Sequence, residues 1–203
     1  IQHMIFAIAN LFIQAAVNSF DSTMVSGNAA AANTDTIIYN IMMAFYTACS
    51  TFMGQNWGAG HKKRMMDSYL ISLFYAFAVA AVLGVAFYFA GRPFLYVFTN
   101  SADVVEAGMQ RMKIMCFSYA ISAFMDNTIA ACRGLGRTIV PTVVVIMGSC
   151  VFRVIWVYTI FAHYHTIPSL YLLYAFSWTI TAAAEIVYFL HCFRKLRLVP
   201  ETA

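Results

Sequence analysis

The sequence predicts an all-α integral membrane protein, a transmembrane bundle of six helices. Three observations carry that prediction. Of the 203 residues, 62% are hydrophobic and only 10% are charged, at a mean hydropathy of +0.74. Soluble domains carry about 25% charged residues, so soluble globular, disordered, coiled-coil and collagen-like classes are excluded. Charge-poor stretches of the roughly 20 residues needed to cross a bilayer recur along the whole chain. Finally, Phe74 to Ala90 shows none of the two-residue alternation of a membrane barrel strand, so helices, not strands, satisfy the backbone in lipid. The net charge of +4 is small and clustered by loop. It suggests no nucleic-acid partner; the partner the composition demands is a lipid bilayer.

The helices are expected at about 1–20, 36–53, 68–91, 108–132, 139–162 and 168–192. The chain opens Ile1-Gln2-His3-Met4 without a charged leader segment, so 1–20 reads as a helix entered part-way rather than a signal peptide. It ends at Asp21. The second helix begins after Asp35, which then serves as an interfacial charge favoured by the helix dipole. The third lies between Asp67 and Arg92, with Pro93 following it. The fourth carries Arg111 and Lys113 near its start and Asp126 inside. The fifth contains Arg153 and the sixth Glu185. Pro141 and Pro168 fall in first turns, where a missing N–H costs little. Gly54, Gly58, Gly60, Gly91, Gly134 and Gly136 are read as helix ends or connections. The run Gly27 to Asn33 is read as a small-residue approach to the second helix.

Loop charge sets orientation. Lys62, Lys63, Arg64, Arg133, Arg137, Arg194, Lys195 and Arg197 fall on one side. Arg92, Arg111 and Lys113 fall on the other, offset by Asp103 and Glu106. The first side is expected to be cytoplasmic, which places the C-terminus inside.

Few residues point to chemistry. The five cysteines (Cys49, Cys116, Cys132, Cys150, Cys192) stand singly and are read as packing residues. His163 and His165 lack an acidic or cysteine neighbour, so no metal is expected. No nucleophile-elbow, zinc-protease or P-loop pattern occurs, which argues against an enzyme. Asp126, Arg153 and Glu185 stand out, because each charge deep in a span costs about 2.5–3.5 kcal/mol on insertion scales. They are read as cation-coupling groups or buried polar switches; the alternative is a buried pair that only fixes packing. Asp126 and Glu185 lie about six residues, roughly 9 Å, from the basic end, and Arg153 about 14 residues, roughly 21 Å. An Arg153–Asp126 bridge therefore requires the arginine stem to lean inward. An acid at that depth is placed to exchange a proton as a cavity opens and closes, or to bind Na⁺. Asn10, Gln14 and Asn18 share one face of the first helix by four-residue spacing. Gln14, Asn18, Asn33, Asp35 and Tyr39 are the candidates for a cavity wall.

Four segments occur in order: Phe12-Ile13-Gln14-Ala15-Ala16-Val17-Asn18-Ser19-Phe20; Gly27-Asn28-Ala29-Ala30-Ala31-Ala32-Asn33; Gly54-Gln55-Asn56-Trp57-Gly58-Ala59-Gly60; and Arg133-Gly134-Leu135-Gly136-Arg137-Thr138 ahead of Pro141. In these the chain resembles the C-terminal half of bacterial multidrug and toxic-compound extrusion (MATE) transporters. The resemblance covers essentially the whole chain. It implies one lobe, helices seven to twelve, of a twelve-helix, two-lobe antiporter whose other lobe is the missing N-terminal partner. It further implies a place in the bacterial inner membrane and export of organic, often cationic and amphipathic compounds in exchange for Na⁺ or H⁺, with no other cofactor. Family members resembling sodium-coupled pumps carry acids in the seventh and tenth helices. At the corresponding places this chain has Phe6 and Ser122, a departure that leaves Asp126 or the N-terminal lobe to couple the ion. A flippase of related fold would line its cavity with several Arg or Lys to hold phosphate, and a non-transporting membrane scaffold is the remaining alternative.

Overall fold

The computed structural model describes the backbone over residues 2–196 and side chains over residues 8–196. Phe6 and Arg197, both used above, therefore lie outside the described side chains. Six helical spans follow one another: α1 (Gln2–Val17), α2 (Ser22–Gly58), α3 (Lys62–Tyr96), α4 (Ala102–Gly134), α5 (Ile139–Tyr164) and α6 (Ile167–Lys195). No strand occurs among the described residues. The all-α membrane bundle stands.

The helices run past the charge-free stretches, and the reason lies in their caps. Asp21 does not merely end α1. Its Oδ1 accepts the Met24 amide at 2.8 Å and starts α2 there. The 37-residue α2 is consequently much longer than the 36–53 span, and Asp35 lies deep inside it rather than at its N-terminus. Ser101 caps α4 through the Val104 amide, with Asp103 in the first turn. Arg111 is thereby moved from the helix mouth to its third turn, where it is buried; Lys113 stays exposed. Pro93, Gly91 and Gly54 also fall inside helices rather than after them. At α6 a capping box of Thr166 and Ser169 precedes the expected Pro168 start.

The α4 helix is the axis of the bundle, packed by α2, α3 and α6. Its Met109, Met112, Met115 and Tyr119 interlock with Ile38 and Met42 of α2 and Ala76 and Ala80 of α3. Two close approaches seat α2 on α4. A Cβ on Gly27 would stand 2.6 Å from the Gly108 nitrogen, and one on Gly134 would stand 2.6 Å from the Met53 Cβ. Small residues permit such contact where lipid supplies no hydrophobic drive. Phe74, Val82 and Phe89 of α3 and Ile155 and Tyr158 of α5 face outward, as lipid-facing side chains must.

Two ends are distinct. Lys62 donates to the Leu196 carbonyl at 3.1 Å, and Met65, Leu135 and Phe193 pack beside it, so the basic loops share one end. At the other end the Ser19 hydroxyl lies 3.1 Å from His165 Nε2, and Arg92 pairs with Glu106 at 2.8 Å. His165 takes a left-handed φ of 43° in the α5–α6 turn. Neither it nor His163 belongs to a metal-ligating cluster among the described residues. All five cysteines are free, four of them buried and Cys192 half-buried.

Candidate functional site

The helix periodicity gathers polar side chains onto one line. Asp35, Tyr39 and Met42 recur at helical spacing on α2, and Met115, Tyr119, Ser122 and Asp126 do so on α4. Together with Arg153 of α5 and Tyr174 and Trp178 of α6 they enclose a cavity of about 250 Å³. Aromatic rings and methionine thioethers form most of its wall. Such surfaces adapt to varied apolar ligands. Tyr39 is 58% exposed.

One wall is a buried polar network. Arg111, 5% exposed, forms an ion pair with Asp35, and Tyr119 donates its hydroxyl to the same carboxylate. The second Arg111 amine donates to Asn28 twice, at 2.9 Å to the backbone carbonyl and 2.9 Å to Oδ1. Tyr171 of α6 donates to that Oδ1 at 2.7 Å. Each half of the pair alone would be very costly in lipid; together, with hydrogen bonds on both sides, they are tolerated. A second cavity of about 180 Å³ lies beyond, lined by Asn10, Gln14, Asn28, Arg111 and Tyr171. Asp35 lines the first cavity and Arg111 the second, with Tyr174 common to both. The ion pair therefore stands in the partition between them.

Arg153 is held differently. Its Nε donates to Ser177 Oγ at 3.1 Å, and Ser177 in turn donates to the Gly148 carbonyl at 2.9 Å. The guanidinium carbon lies 4.5 Å from the Tyr174 ring centre and 5.8 Å from that of Trp178. The α5 segment carrying it is irregular: π-helical turns at Ile146–Val151 and Val157–Phe161 flank Phe152–Trp156. Such wide turns are rare and cluster at functional sites. No hydrogen bond or ion pair among the described residues joins Arg153 to Asp126. Both residues nevertheless face the same cavity.

Glu185 is apart from this cavity. It is 0% exposed, and both carboxylate oxygens are buried without a hydrogen-bond partner among the described residues. Arg133 acts on it electrostatically and stands 5.8 Å from the Tyr46 ring centre. This second charged locus sits toward the basic end of the bundle.

Of the sequence candidates, Asp35, Tyr39, Asp126 and Arg153 meet in the larger cavity, and Gln14 reaches the smaller. Gln14 also donates to Asn18 at 2.9 Å on the expected shared face. Asn33 turns back on its own helix, donating to the Ala30 carbonyl at 3.0 Å. The residues missed were Arg111, Tyr119, Asn28 and Tyr171. The signal for Arg111 was present: the Ser101–Asp103–Glu106 pattern is a helix start, and it places Arg111 well inside α4.

The MatE family model matches residues 1–159. Protein DETOXIFICATION 8 of Arabidopsis thaliana is 26% identical over 98 residues, 48% of this chain and 20% of its own length. The probable multidrug resistance protein YpnP of Bacillus subtilis is 29% identical over 119 residues, 59% of this chain and 27% of its own length. A solved structure of a multidrug resistance MATE family transporter in an outward-facing conformation superposes with a TM-score of 0.85 at 17% identity, covering 95% of this chain and 44% of that one. The chain thus spans less than half the length of each.

Proposed function

Because the chain belongs to the MATE family, whose members are transporters rather than enzymes, we propose that it forms the C-terminal lobe of a secondary active antiporter. The complete protein exports organic, often cationic amphipathic compounds in exchange for Na⁺ or H⁺. The lobe works against an N-terminal six-helix partner by rocking, which exposes the cavity alternately to each side of a bacterial inner membrane. The basic loops face the cytoplasm. What carries this reading is the cavity itself: an acid, Asp126, and a cation, Arg153, stand with aromatic and methionine walls inside a membrane bundle, where each buried charge is costly. In this reading Asp126 takes up the coupling ion, and Asp35, Tyr39 and Tyr174 contribute to the substrate wall. A lipid-linked sugar flippase is disfavoured because Arg153 alone among Lys and Arg residues lines the larger cavity.

The test is reconstitution of the full-length protein in liposomes with ethidium inside. An imposed H⁺ or Na⁺ gradient should accelerate ethidium movement, and an ionophore that collapses the gradient should abolish the effect. Ethidium movement that ignores both gradients would refute the antiport mechanism.

A further inference from the structure

We propose that the C-terminal end of α6 holds one anionic phospholipid on its outer face, the phosphate on Arg194 and Lys195 and the acyl chains along Val187 and Leu190. A surface groove of about 460 Å³ is lined by Val187, Leu190, His191, Arg194 and Lys195. These positions recur at three- and four-residue steps, so they share one side of the helix. Apolar side chains line the part nearer the helix middle, and basic ones line its end. This side is turned away from the transport cavity. Tyr174 and Trp178 line that cavity, and Ser177, Thr181 and Glu185 are buried. Leu172, Phe176, Ile180 and Val187 are exposed and fall on the opposite side at 3.6 residues per turn. Their stripe runs on into His191 and Arg194, both exposed. An apolar stripe that ends in cations is matched by acyl chains below an anionic headgroup.

Depth is the second observation. The 29 residues of α6 rise about 44 Å at about 1.5 Å each. A bilayer with its headgroups is about 40–45 Å thick. With the first turn of α6 at one headgroup layer, the last turn stands at the phosphates of the other. Arg194 and Lys195 lie in that last turn, and their stems are long enough to reach along the surface for a phosphate oxygen.

The third is available charge. Neither Arg194 nor Lys195 forms an ion pair or hydrogen bond among the described residues. Lys62, at the same end, is already engaged: it donates to the Leu196 carbonyl at 3.1 Å and lies 5.3 Å from the Phe193 ring centre. A guanidinium fork beside an ammonium, with no acid paired to either, matches a phosphodiester. Basic pockets at the cytoplasmic side of membrane helices bind anionic headgroups in this way. The helix dipole also favours cations in a last turn, but it places no apolar slot beneath them.

Native mass spectrometry of the purified full-length protein tests this, because it resolves single bound lipids. The probes are phosphatidylglycerol, phosphatidylcholine with the same chains, and glycerol phosphate, which has the anion without the chains. For the first lipid bound, wild type should prefer phosphatidylglycerol over phosphatidylcholine by about tenfold, and glycerol phosphate should bind far more weakly than either. Arg194→Gln with Lys195→Gln should bring that preference to within about twofold of unity. Val187→Asn should weaken both lipids severalfold and keep the preference. Lys63→Gln with Arg64→Gln removes two exposed cations from the same end, outside the groove, and should leave the preference within about twofold of wild type. Equal affinity of wild type for the two lipids overturns the proposal. So does glycerol phosphate binding as tightly as phosphatidylglycerol, which would make the site one for free anions. An equal loss of preference in the Lys63 and Arg64 variant also overturns it, since diffuse charge would then suffice. None of these readouts involves ethidium movement, so they stand or fall separately from the transport reading.

Discussion

Arg111 of α4 closes an ion pair with Asp35 of α2, and Tyr119 donates to the same carboxylate. The pair couples two helices that are also seated on each other by Gly27 and Gly108. Breaking one side leaves the other charge uncompensated. Asp35→Asn and Arg111→Gln should each destabilise the full-length protein by about 3–5 kcal/mol. The double variant should lose clearly less than the sum, because the second substitution removes the orphaned charge. Unfolding in mixed micelles at rising SDS measures this; strict additivity would mean that the pair is not an energetic unit.

The α2–α4 seam makes a second prediction. At Gly27 a methyl group meets the Gly108 nitrogen at 2.6 Å, whereas Gly58 has open space around it. Gly27→Ala should cost about 1–3 kcal/mol by forcing the helices apart. Gly58→Ala should change stability by no more than about 0.5 kcal/mol. The same SDS titration distinguishes them, and equal effects would place the seam elsewhere.

Glu185 is a fully buried acid with neither oxygen hydrogen-bonded among the described residues. Replacement by an apolar side chain of similar length should relieve the unsatisfied group. Glu185→Met is expected to stabilise the protein by about 1–3 kcal/mol and to slow ethidium export severalfold, the trade expected of a group kept for function. Thermal stability and export are measured on the same preparation. Loss of stability would instead assign Glu185 a structural role beside Arg133.

Composition and charge spacing were enough to read the all-α membrane class and to single out Asp126, Arg153 and Glu185, because the cost of charge in lipid is written directly into the chain. Helix lengths were not legible by that route. A charge-free stretch measures the lipid-exposed part of a helix, whereas Asp21 and Ser101 start their helices by capping well before the apolar part begins. That difference hid the Asp35–Arg111 pair, since both residues were read as terminal. Pairing across helices depends on register, and no local pattern shows that Asn28 and Tyr171, 143 positions apart, share a hydrogen bond.

The measurement that most directly tests the account is gradient-driven ethidium export by full-length protein carrying Asp126→Asn, with ethidium binding measured alongside. Asparagine keeps the size of the side chain but cannot carry the charge that exchanges with the ion. The account predicts that export falls by about tenfold or more, some 1.4 kcal/mol in the driven step, while ethidium still binds. Export and ion dependence equal to those of wild type would contradict it.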